Sequence, residues 1–121
     1  MEQREITING KTYPVSFDMD TIINYEEVTG GQSFFGEEFK TIKTRIAVVF
    51  AAVVSANKDT TLTIEEMMGK KDLKAIQEIN AAWVTVFDMA QTFFKIPEVE
   101  QKAESDQQTD EKPKKAQPAK N

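Results

Sequence analysis

Apolar and polar side chains alternate from Ile6 to Phe17, as Ile6, Ile8, Tyr13, Val15 and Phe17, with Asn9-Gly10 between the two runs. Asn-Gly suits a type I′ turn, whose two central residues both need positive φ, so the pattern predicts a β-hairpin. A two-residue turn sets Ile6 opposite Tyr13 and Ile8 opposite Lys11. Ile6, Ile8, Tyr13 and Val15 then share one face. Pro14 falls where its missing N–H points away from the first strand, which discourages further strand addition on that side. Two strands alone are marginally stable, so their apolar face must rest on helices.

Beyond residue 17 the period lengthens. Asp18 or Asp20 caps a short helix with Met19, Ile22, Ile23 and Val28 as its apolar members, and Gly30-Gly31 stops it. Phe39, Ile42, Ile46, Val49 or Phe50, and Val53 predict a helix from about Glu37 to Ala56. Its second half is apolar all round, which makes it central to the fold or covered by a partner. After a polar loop over 57–62, Thr63 and Glu66 have capping-box spacing and open a short helical turn through Met67 and Met68, ended by Gly69. Asp72 caps the longest helix, where Leu73, Ile76, Ile79 or Asn80, Trp83, Phe87, Ala90 and Phe94 form a stripe that Val86, Met89 and Phe93 widen. On this stripe Trp83 reads as a core residue. Pro97 disfavours helical geometry at Ile96 and marks a boundary. The fold class is α+β, mainly α: an N-terminal two-stranded hairpin packed on a small bundle of about four helices.

Three adjacent apolar pairs fit this scheme poorly. Phe34 and Phe35 lie in a connecting segment, where two neighbouring rings do not easily face the same core. One serves as a contact, or one is inserted beneath the next helix. Met67 with Met68, and Phe93 with Phe94, are about 100° apart on their helices and do not both fit a narrow core. Phe34, Phe35, Met67, Met68 and Phe93 are therefore the candidate partner-contact residues, since Met and flat aromatic surface suit protein contacts.

Composition divides the chain at residue 97. Residues 1–96 hold every aromatic side chain and all the large aliphatics except Val99. Residues 97–121 are rich in Glu, Asp, Lys, Gln, Ala and Pro, and ordering them would cost chain entropy with little apolar burial in return, so a disordered charged tail is expected. The net charge of −5 does not match a phosphate backbone. Lys112, Lys114 and Lys115 adjoin Asp110 and Glu111 and have no interleaved aromatic for base stacking. The longest apolar run, Ile46 to Val54, is about half of what a membrane span needs. No secretory signal is read at the start, and a cytosolic protein is expected.

The chain contains no His and no Cys, which removes the usual general base near neutral pH, the usual nucleophile and the commonest transition-metal ligands. The carboxylate pairs Asp18/Asp20, Glu26/Glu27, Glu37/Glu38 and Glu65/Glu66 read as helix caps and solvated faces. Asn57, Asp59 and Thr61 have the alternate oxygens of a calcium loop, but Leu62 and Met68 stand where that loop needs Gly and Glu. No catalytic, cofactor or metal site is expected, and the function class that remains is protein binding.

Taken in order, the Ile-Thr-Ile-Asn-Gly-Lys-Thr-Tyr-Pro-Val-Ser-Phe hairpin, the Asn24-Tyr25-Glu26-Glu27-Val28-Thr29-Gly30 helix end, and Leu62-Thr63-Ile64-Glu65-Glu66-Met67 before a long final helix resemble the tail assembly chaperones of long-tailed bacteriophages. The likeness covers roughly residues 5–96. It implies a small, oligomeric protein of the host cytoplasm that binds the tape-measure protein, keeps its apolar helical segments soluble and helps recruit the tail-tube protein. That family often makes a longer, frameshifted form, and this chain corresponds to the short one. The alternatives are a small structural phage subunit, such as a head-to-tail connector or tail-completion protein, and a generic protein-interaction adaptor.

Overall fold

The computed structural model of the chain describes residues 3–95. Its elements are strands β1 (Gln3–Ile8) and β2 (Lys11–Ser16), followed by helices α1 (Met19–Val28), α2 (Ile42–Ala56), α3 (Ile64–Met68) and α4 (Leu73–Phe94). The charged tail expected over 97–121 lies outside the described residues.

The hairpin has the register that its turn dictates. Ile6 pairs with Tyr13 and Ile8 with Lys11, and Asn9 and Gly10 both take positive φ, at 54° and 77°. Ile6, Ile8 and Val15 are buried and Tyr13 is half-buried. β2 packs on α2 and β1 on α4. Two polar contacts fasten the hairpin along α4. Arg4 Nη1 pairs with Asp88 Oδ2 at 2.8 Å, and the Asn9 N–H donates to Glu78 Oε1 at 2.7 Å. Gly69 accommodates the hairpin tip, since a Cβ there would stand 1.9 Å from Asn9 Nδ2.

Asp18, not Asp20, caps α1. Asp18 Oδ1 accepts the Thr21 N–H at 3.1 Å and Thr21 Oγ1 accepts the Asp18 N–H at 3.0 Å, closing a capping box. At the other end Gly30 takes φ 74°. The Gly31 N–H reaches Glu26 O and the Gly30 N–H reaches Glu27 O, the two bonds of a Schellman stop. The buried face of α1 differs from the expected one. Of Met19, Ile22, Ile23 and Val28 only Ile22 is buried, and Thr21 and Tyr25 complete the face. Thr21 is satisfied there by Ser55 Oγ at 2.8 Å and Ser16 O at 3.1 Å, while Ser55 donates to Ala51 O. A small hydroxyl network therefore joins α1 to α2 inside the core, as burial of polar groups requires.

Helix α2 is the centre of the molecule, with Ala47 to Val53 all buried against α1, α3, α4 and β2. It starts five residues later than the spacing suggests. Gly36 and Phe39 both take positive φ, at 86° and 55°, which no helix tolerates, and Thr41 caps the helix instead by accepting the Thr44 N–H. Two side chains hold Phe39 in this conformation. Glu37 Oε2 accepts its N–H at 3.0 Å, and Arg45 Nε donates to its carbonyl at 2.7 Å.

Candidate functional site: an aromatic groove beside α4

The 22 residues of α4 carry two neighbouring apolar seams. Ala75, Ile79, Ala82, Val86 and Met89 recur at four- and three-residue spacing and are buried against the hairpin and α2. Of the expected stripe Ile79, Val86, Met89 and Ala90 are buried, while the line through Leu73, Ile76, Asn80, Trp83 and Phe87 lies about 100° away round the helix. Leu73 is 69% exposed, Ile76 47% and Phe87 45%, and Trp83 is half-buried rather than central.

The 29–41 segment rises beside the lower half of that outer seam and makes the opposite wall of a groove. Phe34 and Phe39 form its inner side, with ring centroids 5.3 Å apart, and Phe39 packs on Trp83 at 4.9 Å. Phe87 continues from Trp83 at 5.1 Å. Phe94 meets Phe34 and Phe35 at 6.2 and 6.0 Å, and Phe17 closes the end, 5.7 Å from Phe34. Through such contacts all the aromatic side chains of the chain except Tyr13 and Phe50 join in one network. The groove encloses about 810 Å³, with Val48 and Ala90 contributing to its apolar lining and Glu37, Glu38, Lys40, Gln91 and Lys95 adding polar groups.

Arg45 fixes the walls relative to each other. Besides holding the Phe39 carbonyl, it donates from Nη1 to Asn80 Oδ1 at 2.9 Å, and its guanidinium lies 5.7 Å from the centre of the Trp83 ring. One cation thus ties the loop to α4 by two hydrogen bonds and a cation–π contact. Beneath the loop Tyr25 is fully buried, and among the described residues its hydroxyl has no hydrogen-bond partner. Burial first, and the nearby negative charge of Glu37 second, push its pKa above the ordinary value of about 10.

The five candidate contact residues do not form one surface. Phe35, 63% exposed, stands on the rim of the groove, and Phe34, 9% exposed, forms part of its floor. Phe93 is 42% exposed and packs 5.5 Å from Phe17, next to the groove rather than in it. Met67 and Met68 are a correction: both are buried. α3 is a single turn lodged between α2 and the hairpin tip at Gly69, so two neighbouring side chains are enclosed from different sides, and unbranched Met adapts to both. Trp83, Phe87 and Phe94, which the pairing argument did not select, make the α4 wall. The available signal was the presence of two apolar seams on one helix, of which a single core takes only one.

Among the described residues no group of three or more acidic side chains is placed to hold a metal ion, and no helix is long and apolar enough to cross a membrane. Comparison with protein-family models, curated proteins and solved structures finds no match to this chain.

Proposed function

We propose that this protein is a non-enzymatic binding protein that covers an apolar segment of another polypeptide. The observation that carries this reading is the exposed aromatic surface. Phe35, Phe87, Phe93 and Phe94 are 63%, 45%, 42% and 42% exposed. At roughly 200 Å² for each whole side chain, the exposed parts amount to about two rings, or roughly 400 Å², a size at which an apolar patch marks a contact surface. With the sequence likeness to phage tail assembly chaperones, the preferred client is a tape-measure protein, held soluble in the host cytoplasm until tail-tube protein is recruited. Several copies would gather along one long client.

Co-expression tests this. A long, helix-rich and otherwise insoluble protein encoded beside this one is expected to become soluble only when this chain is present, and this chain is expected to be missing from the finished particle. Unchanged insolubility removes the chaperone reading, and persistence in the particle favours a structural subunit.

A further inference from the structure

We infer that Asn9-Gly10 is a self-modification site: Asn9 loses its side-chain amide through a cyclic imide with the Gly10 nitrogen, at a rate set by how often the hairpin tip lifts off Gly69 and Glu78.

The turn supplies the reactants. Asn9 is the only Asn of the chain that precedes Gly. Gly10 has no Cβ, and one built there would meet nothing within 4 Å, so the approach to its nitrogen is open. Ile8 and Lys11 form the closing pair of the turn, which leaves the Gly10 N–H outside the ladder. Both turn residues are exposed to water. Once hydroxide takes the N–H proton, the nitrogen attacks Asn9 Cγ and a C–N bond forms. Nδ2 leaves as ammonia with a proton from water, which regenerates the hydroxide. Water then opens the imide at either carbonyl. Cleavage at Cγ gives aspartate, and cleavage at the backbone carbonyl gives isoaspartate, whose main chain runs through Cβ and Cγ and is one carbon longer.

The folded tip restrains this chemistry. The Asn9 N–H is held by Glu78 Oε1 at 2.7 Å, and the side-chain amide is seated so closely on Gly69 that a Cβ there would fall 2.6 Å from Asn9 Cγ. Ring closure requires Cγ to leave Gly69 and swing onto the Gly10 nitrogen, so the reactive conformer belongs to a local opening of the tip. A main chain one carbon longer no longer makes a two-residue turn in this register. The isoaspartate product therefore does not regain the contacts with Gly69 and Glu78, and the hold of the tip on α4 is limited in time.

The test is prolonged incubation of the full chain in neutral buffer, followed by peptide mapping with mass spectrometry for the amide-to-acid mass gain. Asn57, exposed but followed by Lys58, is the internal reference. Modification is expected at Asn9 and not at Asn57, about tenfold more slowly than in the urea-unfolded chain. Glu78→Ala, which releases the Asn9 N–H, is expected to speed it severalfold. Should that variant misfold, Gly69→Ala, which ejects the Asn9 side chain from its seat, serves the same purpose. Val49→Ala, at the buried centre of α2, lowers overall stability without touching the tip and is expected to leave the rate unchanged. The isoaspartate form, separated by ion exchange, is expected to have a lower urea midpoint than the parent. An Asn9 that stays intact in the folded chain, equal rates in folded and unfolded chains, acceleration by Val49→Ala equal to that by Glu78→Ala, or an unchanged midpoint of the product overturns the inference.

Discussion

Helices α2 and α4 both carry more apolar side chains than one face can hold, and the surplus is handled in opposite ways. α2 is surrounded by α1, α3, α4 and β2, so even its back face, Ala51, Ala52 and Val53, is buried. α4 packs chiefly on α2 and the hairpin, with the 29–41 segment flanking its C-terminal half. Its inner seam is sealed and its outer seam, with Trp83, Phe87 and Phe94, opens onto a groove. Apolar surplus therefore takes its meaning from position. At the centre of the bundle it is core, and at the periphery it is surface available to another chain.

The contrast is broken most directly by truncating one residue from each seam of α4. Ile79→Ala, on the inner seam and fully buried, is expected to cost about 2–5 kcal/mol, as large-to-small core changes do. Leu73→Ala, on the outer seam and 69% exposed, should stay within about 0.5 kcal/mol of the parent. Urea midpoints at constant m-value measure both. Similar losses for the two would mean that the seams are not distinct.

Next in size is Gly69→Ala. The residue takes φ 57° and an added Cβ would meet the Asn9 side chain, so strain and clash act together, and a loss of about 1–3 kcal/mol is expected. Adding Asn9→Gly should recover the part due to the clash but not the part due to φ. A double mutant no better than Gly69→Ala would show that the hairpin tip does not rest on this glycine.

Tyr25 sharpens the comparison at the base of the groove loop. Among the described residues its buried hydroxyl has no partner, so Tyr25→Phe is expected to stabilise by about 1 kcal/mol at pH 7. The pH dependence has a definite sign. Because the folded-state pKa is raised above 10, the unfolded chain releases the phenol proton first. The parent's stability is therefore independent of this group's ionisation below about pH 10 and falls as the pH rises from there through the folded value. The advantage of Tyr25→Phe should widen above pH 10 in urea melts. An advantage constant with pH would place the hydroxyl in contact with water.

The hairpin, the four helices, the caps at Thr63 and Asp72, a cap at Asp18 or Asp20, and the Gly30-Gly31 stop were legible in the sequence because each depends on local chemistry. The late start of α2 was not, because a left-handed Phe39 is imposed from 6 residues away by Arg45. Helical spacing alone does not reveal it. The expected wide stripe of α4 splits in two for a related reason: both seams are apolar, and the hairpin, whose β1 packs against α4, takes only the one that holds Ile79, Val86 and Met89. Small Ala75 and Ala82 on the inner seam were the clue, since a sheet approaches a helix most closely where side chains are short. Of the candidate contacts, Phe35 and Phe34 belong to the groove. Met67 and Met68 were displaced by tertiary enclosure of a one-turn helix that its own periodicity is too short to describe.

A modest effect on stability carries the most functional information. Phe87 is 45% exposed at the groove, and replacing it with Ser removes apolar surface that water already half covers. The stability loss should be about 1–2 kcal/mol, below that of Ile79→Ala because only part of the ring is packed, while binding of an environment-sensitive hydrophobic dye and rescue of an insoluble client should both drop. Ile79→Ala predicts the reverse: the fold loosens, dye binding rises, and any loss of rescue follows the fraction unfolded. Stability and binding then separate onto two faces of one helix only 100° apart. If Phe87→Ser instead lowered the urea midpoint as much as Ile79→Ala, the outer seam would be core after all and the groove would have no role as a contact surface.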